Sequence, residues 1–197
     1  KGQIWLGQPK YARDVLERFG MTDCKPVSSP MEVNVQLHRD AGAATADVPY
    51  AELVGSLLYL TVNTRPDLAY CAGVLSRFVA YPCDVHWKAA KRVLRYIAGT
   101  IDRGIVYQRG GVAVEAFADS DYAGEHDTRK STSGVVILMC GGAVVWKSKL
   151  QTVVAASTCE AEYIAAAAAA KEVMWVRKLK AELNGRVETV RLYGDNQ

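Results

Sequence analysis

Three carboxylate residues stand where strands or a helix would deliver them to a common place. Asp119 ends the run "AVEAFAD", Glu162 lies in the first turn of a long helical stretch, and Asp195 follows the run "VRLYG". Three acids held together repel one another unless cations lie between them, and clustered carboxylate oxygens suit Mg²⁺ or Mn²⁺. Two such ions about 3.5–4 Å apart stabilise both the attacking and the leaving oxygen of a phosphoryl displacement. Taken alone, such acids usually lie on a solvated surface. Their placement at two strand ends and a helix start favours a two-metal site for phosphoryl displacement instead.

The elements around these acids follow the order strand, strand, strand, helix, strand. The runs "AVEAFAD", "SGVVILMC" and "AVVWKSK" are short and β-rich, "QTVVAA" is a weaker candidate, and Gly141–Gly142 is typical of a hairpin turn. A long helix then begins at Ser157, which forms a capping-box pattern with Glu160, and ends at Asn184–Gly185. Alternating apolar residues predict one more strand after it.

This order predicts an α/β fold with a mixed sheet. Three consecutive strands joined by tight turns form an antiparallel meander, and a helical crossover returns the last strand parallel to one already in the sheet. When the last strand lies beside the first, Asp119 and Asp195 emerge at neighbouring carboxyl ends, where open α/β sheets bind ligands. Glu162 can point at the same edge from the start of the helix.

The first part of the chain is mainly helical and more basic. A short strand and a helix with Pro9 in its first turn come first, and apolar helices follow between residues 50 and 99, the last running from an N-cap at Asp84 to Gly99. Residues 1–110 carry 14 Lys and Arg against 10 Asp and Glu, whereas the remainder carries 10 against 11. An enzyme that grips a polyanion and cuts it with metals could divide its charges in this way.

The last of these helices carries a basic stripe on the side opposite its apolar residues. Its members recur at helical spacing: Lys88, Lys91, Arg92 and Arg95. Two interpretations stay open. The stripe is either an ordinary solvated face or a set of contacts to nucleic-acid phosphates, which would give affinity without sequence preference.

The cysteines and the hydropathy pattern exclude several classes of protein. The five cysteines show no C-x-x-C spacing, which favours free thiols in an intracellular protein. Cys71, Cys83 and His86 could be combined into a zinc site, but the absence of paired ligand spacing favours buried helix residues instead. The residues after Lys1 lack the charged-then-apolar pattern of a signal peptide, and no apolar run approaches the roughly 20 residues of a membrane span, so we expect neither feature in this sequence.

Longer motifs also carry a family resemblance. The stretches "FADSDYAGEHDTRKSTSG", "VVAASTCEAEYIA" and "LYGDNQ" resemble the ribonuclease H segment of copia-type (Pseudoviridae-like) retrotransposon polyproteins. Upstream, "YAELVGSLLYLTVNTRPDLAYCAGVLSRF" and "HWKAAKRVLRYIAGT" resemble the connection between reverse transcriptase and ribonuclease H, and "GQPKYARDVLERFGM" resembles the end of the polymerase thumb. The resemblance covers essentially the whole chain.

The resemblance implies both a fold and a division of the chain. It predicts a remnant of the reverse transcriptase thumb at residues 1–35, a linker at 36–49 and a helical connection at 50–110. Residues 111–197 would form a ribonuclease H-like mixed sheet that continues beyond the last residue. The upstream partner would be the polymerase palm of the same polyprotein.

The resemblance also assigns roles to single residues. The catalytic, metal-binding acids would be Asp119, Glu162 and Asp195, with Asp121 as a rival for the first role. Asp119 is preferred because it stands directly at the strand end, and Glu160 is interpreted as the capping partner. In the following loop, His126 and a run of four further residues are possible phosphate contacts: Arg129, Lys130, Ser131 and Thr132. A polar loop without a ligand is the alternative.

The implied reaction is hydrolysis of RNA in RNA–DNA hybrids with two Mg²⁺ or Mn²⁺ ions, inside cytoplasmic virus-like particles. The family's last catalytic acid would lie beyond Gln197, so weak or absent activity is expected of the isolated chain. The alternative is a catalytically silent scaffold of the same fold that binds or positions template–primer nucleic acid.

Overall fold

The computed structural model describes residues 2–32, 35, 37–39, 48–110, 114–185 and 189–194. The chain divides into two compact units, a helical unit of residues 6–105 and a sheet unit of residues 1–5 with 106–197. Asp195 and most of the predicted linker at 36–49 lie outside the described residues.

The described residues of the helical unit form four α-helices. They are α1 (Pro9–Arg18), α2 (Tyr50–Asn63), α3 (Ala69–Ser76) and α4 (Asp84–Ala98), with a 3₁₀ turn at Pro66–Leu68 before α3. The predicted first-turn proline of α1 and the closing glycine of α4, Gly99, are both confirmed. Asp84 is not the N-cap of α4, as the sequence suggested. Cys83 is the cap, because its backbone N–H donates to His86 Nδ1 at 3.0 Å.

Leucines at helical spacing form the centre of the helical unit. All are at most 2% exposed: Leu16, Leu53, Leu57, Leu60, Leu68, Leu75 and Leu94. Full burial of one such side chain contributes about 1.5–3 kcal/mol. Because these leucines come from α1 as well as from α2, α3 and α4, residues 9–18 share one core with residues 50–98.

A charged network is buried beside this core. Arg65 is 2% exposed, and its Nε and Nη2 donate to the two carboxylate oxygens of Asp67 at 2.9 and 2.8 Å. Its Nη1 donates to the carbonyl of Thr100 at 3.1 Å, and the hydroxyl of Tyr96 donates to Asp67 at 2.9 Å. Burial alone raises the pKa of Asp67, but the hydrogen bonds and charge of Arg65 outweigh it, so the pKa lies below its ordinary value. The network joins the segment after α2 to the end of α4.

The sheet unit contains a four-stranded mixed sheet. Its elements are β3 (Glu115–Asp121), β4 (Thr132–Met139), β5 (Gly142–Leu150), α5 (Thr158–Asn184) and β6 (Arg191–Tyr193). The strand order is β5-β4-β3-β6, with β3 antiparallel to β4 and parallel to β6. The predicted meander, helical crossover and return of the last strand beside the first are therefore confirmed. A further pair, β1 (Gln3–Gly7) and β2 (Gly104–Gln108), forms a separate two-stranded sheet.

Two local predictions in the sheet unit were wrong. The hairpin loop between β4 and β5 is Cys140–Gly141, one residue earlier than predicted, and both residues have positive φ, 54° and 77°. This is the conformation of a two-residue type I′ turn, which matches the twist of the flanking strands. The run "QTVVAA" is not a strand, because β5 ends at Leu150 and residues 151–156 are irregular.

The long helix α5 lies close against the sheet. Ser157 is its N-cap and accepts from the N–H of Glu160, and Gly185 closes it in the left-handed region. Alanines at every fourth position are fully buried, namely Ala161, Ala165 and Ala169, and the strand beneath buries Ala116 and Ala118. Small side chains on both surfaces allow a close approach, which brings the start of α5 to the carboxyl end of β3.

Candidate functional site

Two of the predicted acids converge on one backbone donor at the end of β3. Asp119 is exposed, and its Oδ1 accepts from the N–H of Ser120 at 2.8 Å. Glu162, half-buried on α5, accepts from the same N–H through Oε1 at 3.1 Å. The two oxygens therefore lie no farther apart than the sum of these distances. Ser120 and Glu162 are 42 residues apart in sequence, so it is the packing of α5 on β3 that brings the two carboxylates to the same N–H.

The third predicted acid, Asp195, lies outside the described residues. The strand before it, β6, runs parallel to β3 with Tyr193 opposite Phe117, and Gly194 lies against the carbonyl of Ala118. Among the described residues no group of three His, Cys, Asp or Glu side chains could hold a metal ion. The described part of the site consequently offers two carboxylates.

Asp121, the rival for the first role, is used inside the loop that follows β3. Its Oδ1 accepts from the N–H of Thr132 at 2.6 Å, across the register pair that joins β3 to β4. Its carboxylate also lies against Gly124, where any added side chain would collide with it. These contacts give Asp121 a structural task at the base of the loop, whereas Asp119 stands at the surface.

A groove opens beside Glu162, between the start of α5 and the end of β6. It has a volume of about 550 Å³ and is lined by Ala118, Thr158, Cys159, Glu162, Tyr163, Ala166, Leu192, Tyr193 and Gly194. Its mainly small and aromatic lining leaves Glu162 as the acidic group among these residues. A ligand that reaches Glu162 from this side meets one charged group and two tyrosines.

The loop between β3 and β4 is held by its own buried polar groups. Glu125 is only 9% exposed, and its carboxylate accepts from the N–H of Thr128 at 2.6 Å and from the hydroxyl of the same residue. Ser131 is fully buried and accepts from the N–H of Ala123 at 3.0 Å.

The predicted phosphate contacts in this loop therefore differ in their access to a ligand. Arg129 and His126 are exposed, and Lys130 is half-buried. Ser131 and Thr132 are buried, which argues against their contact with a phosphate. We retain Arg129 and Lys130 as the cationic candidates.

The basic stripe on α4 is partly engaged within the helical unit. Arg92 donates to Glu32 at 2.9 Å and to the hydroxyl of Ser29 at 3.2 Å, and Arg95 donates to the carbonyl of Lys25 at 2.7 Å. These two side chains hold the segment before residue 33 against α4.

The two lysines of the stripe have a different setting. Lys88 is exposed, and Lys91 lies over the ring of Trp87 at 5.7 Å. Both border a groove of about 540 Å³ whose other walls include Met21, Met31 and Val85. The two lysines, rather than the two arginines, are the stripe members best placed for an external anion.

Cys71, Cys83 and His86 are parts of the helical core. Cys71 is buried and donates to the carbonyl of Leu68, and burial raises the pKa of its thiol to about 12. His86 is fully buried and stacks on Phe78 with ring centroids 4.0 Å apart. These contacts agree with the interpretation of the three as core residues.

One buried residue near the carboxylates was missed by the sequence reasoning. Gln151 follows β5, is 5% exposed, and its Nε2 donates to Ser133 Oγ and to the carbonyl of Ala161, both at 2.9 Å. The same nitrogen lies 3.3 Å from Ser120 Oγ. No short motif marks it, because its partners come from three other elements.

The chain is similar to parts of transposon polyproteins. It is 42% identical over 202 residues to the retrovirus-related Pol polyprotein from transposon TNT 1-94 of Nicotiana tabacum, across 99% of this chain and 15% of the relative. It is 41% identical over 182 residues to the corresponding polyprotein from transposon RE2 of Arabidopsis thaliana, across 91% of this chain and 12% of the relative. A protein named secreted RxLR effector protein 161, of Plasmopara viticola, is 47% identical over 131 residues, across 66% of this chain and 92% of its own length.

The chain spans only 15% and 12% of the lengths of these two polyproteins. No family model and no solved structure matches it. Within the part of the chain that the structure describes, no helix is both long and apolar enough to cross a membrane.

Proposed function

We propose, from the similarity of the chain to segments of retrovirus-related Pol polyproteins of transposons, that its sheet unit is the ribonuclease H segment of such a polyprotein. The proposed reaction is hydrolysis of the RNA strand of RNA–DNA hybrids. The observation that carries the proposal is the convergence of Asp119 and Glu162 on the N–H of Ser120.

The donor set fits hard divalent cations. Asp119 and Glu162 offer carboxylate oxygens, which suit Mg²⁺ and Mn²⁺, and no described His or Cys side chain completes a softer site with them. Two like charges drawn to one N–H also form an environment that favours a bound cation. We propose Asp195 as the third ligand, since β6 runs parallel to β3 toward the same sheet edge.

The proposed chemistry follows from this placement. Bound divalent cations would activate water and stabilise charge on the attacking and leaving oxygens. The residues of this chain would hold the cations at the end of β3. The Ser120 N–H orients both carboxylates, and Arg129 presents a cation that could meet a phosphate of the hybrid. Water oxygen bonds to phosphorus as the bond from phosphorus to the 3′ oxygen breaks, which leaves a 3′-hydroxyl on one RNA fragment.

Two parts of the chain support binding of a nucleic acid. The sheet unit exposes Arg129, and the helical unit exposes Lys88 beside the groove on α4. Lysine and arginine contacts to phosphates give affinity that does not depend on sequence and falls with salt. We propose the RNA–DNA hybrid as the substrate and the polymerase region of the same polyprotein as the partner that delivers it.

The test is cleavage of a labelled RNA strand annealed to DNA, in the presence of Mg²⁺. It uses the chain itself and a longer product of the reading frame that encodes it. We expect cleavage by the longer product and a loss of at least about a hundredfold for Asp119→Asn or Glu162→Gln, because misplacing reacting groups even slightly costs rates of that order.

Matched controls remove the same charges away from the site. Asp102→Asn alters an exposed acid of the helical unit, and Glu182→Gln alters an exposed acid near the far end of α5. Both variants should cut at the rate of the unmodified protein. An intact RNA strand with the longer product, under conditions where the hybrid is bound, would exclude the nuclease proposal.

A second candidate is a scaffold of the same architecture that binds the hybrid without cutting it. The exposed lysine and groove of the helical unit favour this candidate, because they lie in a unit that does not contain the carboxylate pair. It predicts salt-sensitive hybrid binding that is unchanged by Asp119→Asn and weakened by Lys88→Ala.

A further inference from the structure

Gln151 connects the two chain segments that carry the carboxylate pair. Its side-chain nitrogen contacts Ser120, the residue directly after Asp119, and the carbonyl of Ala161, the residue directly before Glu162. It also donates to Ser133 on β4, and its own backbone N–H donates to the carbonyl of Ser131 at 2.8 Å. One amide therefore joins β3, β4 and the first turn of α5.

The chemistry of these contacts fixes the orientation of the amide. The carbonyl of Ala161 can only accept a hydrogen bond, so the atom that faces it must be the NH₂ group. The hydroxyls of Ser133 and Ser120 can rotate to accept from the same group. It has two N–H bonds, which the two contacts at 2.9 Å take up, so the Ser120 hydroxyl at 3.3 Å shares one of them. An amide with 5% exposure cannot exchange these partners for water, so losing one of them leaves a buried polar group unsatisfied.

The neighbours of Gln151 show that its burial is selective. Thr152, Val153 and Val154 are all exposed, although two of them are apolar. The chain thus buries a polar amide and exposes two valines at the same bend. Apolar side chains are usually buried and glutamine is usually exposed, so this reversed burial indicates a specific role for the amide.

We propose that Gln151 is a positioning residue, which sets the separation of Asp119 and Glu162 through its contacts with the Ser120 hydroxyl and the Ala161 carbonyl. This inference rests on the proposed function, since the separation matters only for a shared cation. Partners that orient metal ligands typically change metal affinity by about 10–100-fold when they are removed. Gln151 acts one step farther out, through the segments that carry the ligands, so we expect the lower end of that range.

The test compares Gln151→Met with Val176→Ala. Gln151→Met keeps the length of the side chain and removes its donors. Val176 is 4% exposed in the core of the sheet unit and lies on α5, roughly 22 Å along the helix axis from Ala161. It reports what a loss of packing alone does. If Gln151→Met does not fold, Gln151→Asn keeps the amide and shortens its reach.

Two measurements read the outcome. Calorimetric titration with Mn²⁺ should give a dissociation constant about tenfold higher for Gln151→Met and unchanged for Val176→Ala. The backbone amide resonance of Ser120 should shift in the first variant and stay in place in the second. Hybrid cleavage by the longer product should then need about tenfold more metal for half its maximal rate.

The two proposals fail in different ways. If the unmodified protein binds Mn²⁺ and folded Gln151→Met binds it equally well, the positioning role is wrong and the nuclease proposal stands. If the unmodified protein neither binds Mn²⁺ nor cuts the hybrid, the proposed function is wrong. The contacts of Gln151 then stabilise the fold and have no role in metal binding.

Discussion

The helical unit and the sheet unit arrange their charged side chains in opposite ways. In the helical unit Arg65 is buried, and its charge is matched by Asp67 with two hydrogen bonds. In the sheet unit two acids from distant elements share one backbone N–H. A matched buried pair is costly to break and serves the architecture. Gathered like charges oppose folding, and such conflicts are expected where a protein binds or reacts.

Breaking the matched pair should have the largest effect. Arg65→Met leaves the carboxylate of Asp67 without its guanidinium, and removing one partner of a buried pair typically costs about 3–5 kcal/mol. Hydrogen exchange read by mass spectrometry can report each unit separately, and protection should fall in residues 50–98. Arg18→Met is the control, because its ion pair with Glu52 is exposed at 3.5 Å and such pairs contribute less than about 1 kcal/mol. Equal losses from the two variants would contradict the assignment.

A smaller effect should appear on acidification. The pKa of Asp67 is lower in the folded protein than its ordinary value of 3.8, so the unfolded chain takes up the proton first. The stability that this carboxylate contributes is therefore complete above that ordinary value and is lost as pH falls through the lower folded value. Unfolding of the helical unit, followed by urea titration at several pH values, should show this decline. Asp67→Asn should flatten it, and an unchanged acid slope in that variant would assign the decline to other groups.

The smallest expected effect concerns the repulsion between the carboxylates of Asp119 and Glu162. Asp119→Asn removes one of two like charges. In the absence of divalent cations it should therefore raise the free energy of unfolding of the sheet unit by roughly a few tenths of a kcal/mol at most, and its thermal midpoint slightly. Added salt should reduce the difference, since the site is at the surface. Glu182→Gln, on the exposed end of α5, should leave the midpoint unchanged. A fall in the midpoint with Asp119→Asn would mean that this carboxylate serves stability.

The sequence pattern predicted the order of the sheet because local signals were consistent. The period of apolar residues changed from helical to alternating near residue 110, and Ser157 and Gly185 marked both ends of α5. With those ends fixed, the parallel return of the last strand followed from general rules. The start of α5 then lies at the carboxyl end of β3, where Glu162 and Asp119 meet at the Ser120 N–H.

Other features depend on contacts that no local pattern encodes. The partners of Gln151 lie 10, 18 and 31 residues away, so only the finished topology brings them together. The basic stripe on α4 looked uniform in sequence, but the partners of Arg92 and Arg95 lie 60 or more residues earlier. The hairpin moved by one residue because Cys140 adopts positive φ, which sequence preferences assign to glycine first.

The ladder of buried alanines on α5 has a consequence for how the molecule tolerates change. The side chains buried there are alanines, which have no rotamers that could adjust to absorb a perturbation. A single bulky residue at Ala165, one turn beyond the acid on the same helix, would act as a wedge and tilt that end of the helix outward. The position of Glu162 relative to Asp119 therefore depends on the small size of these buried alanines.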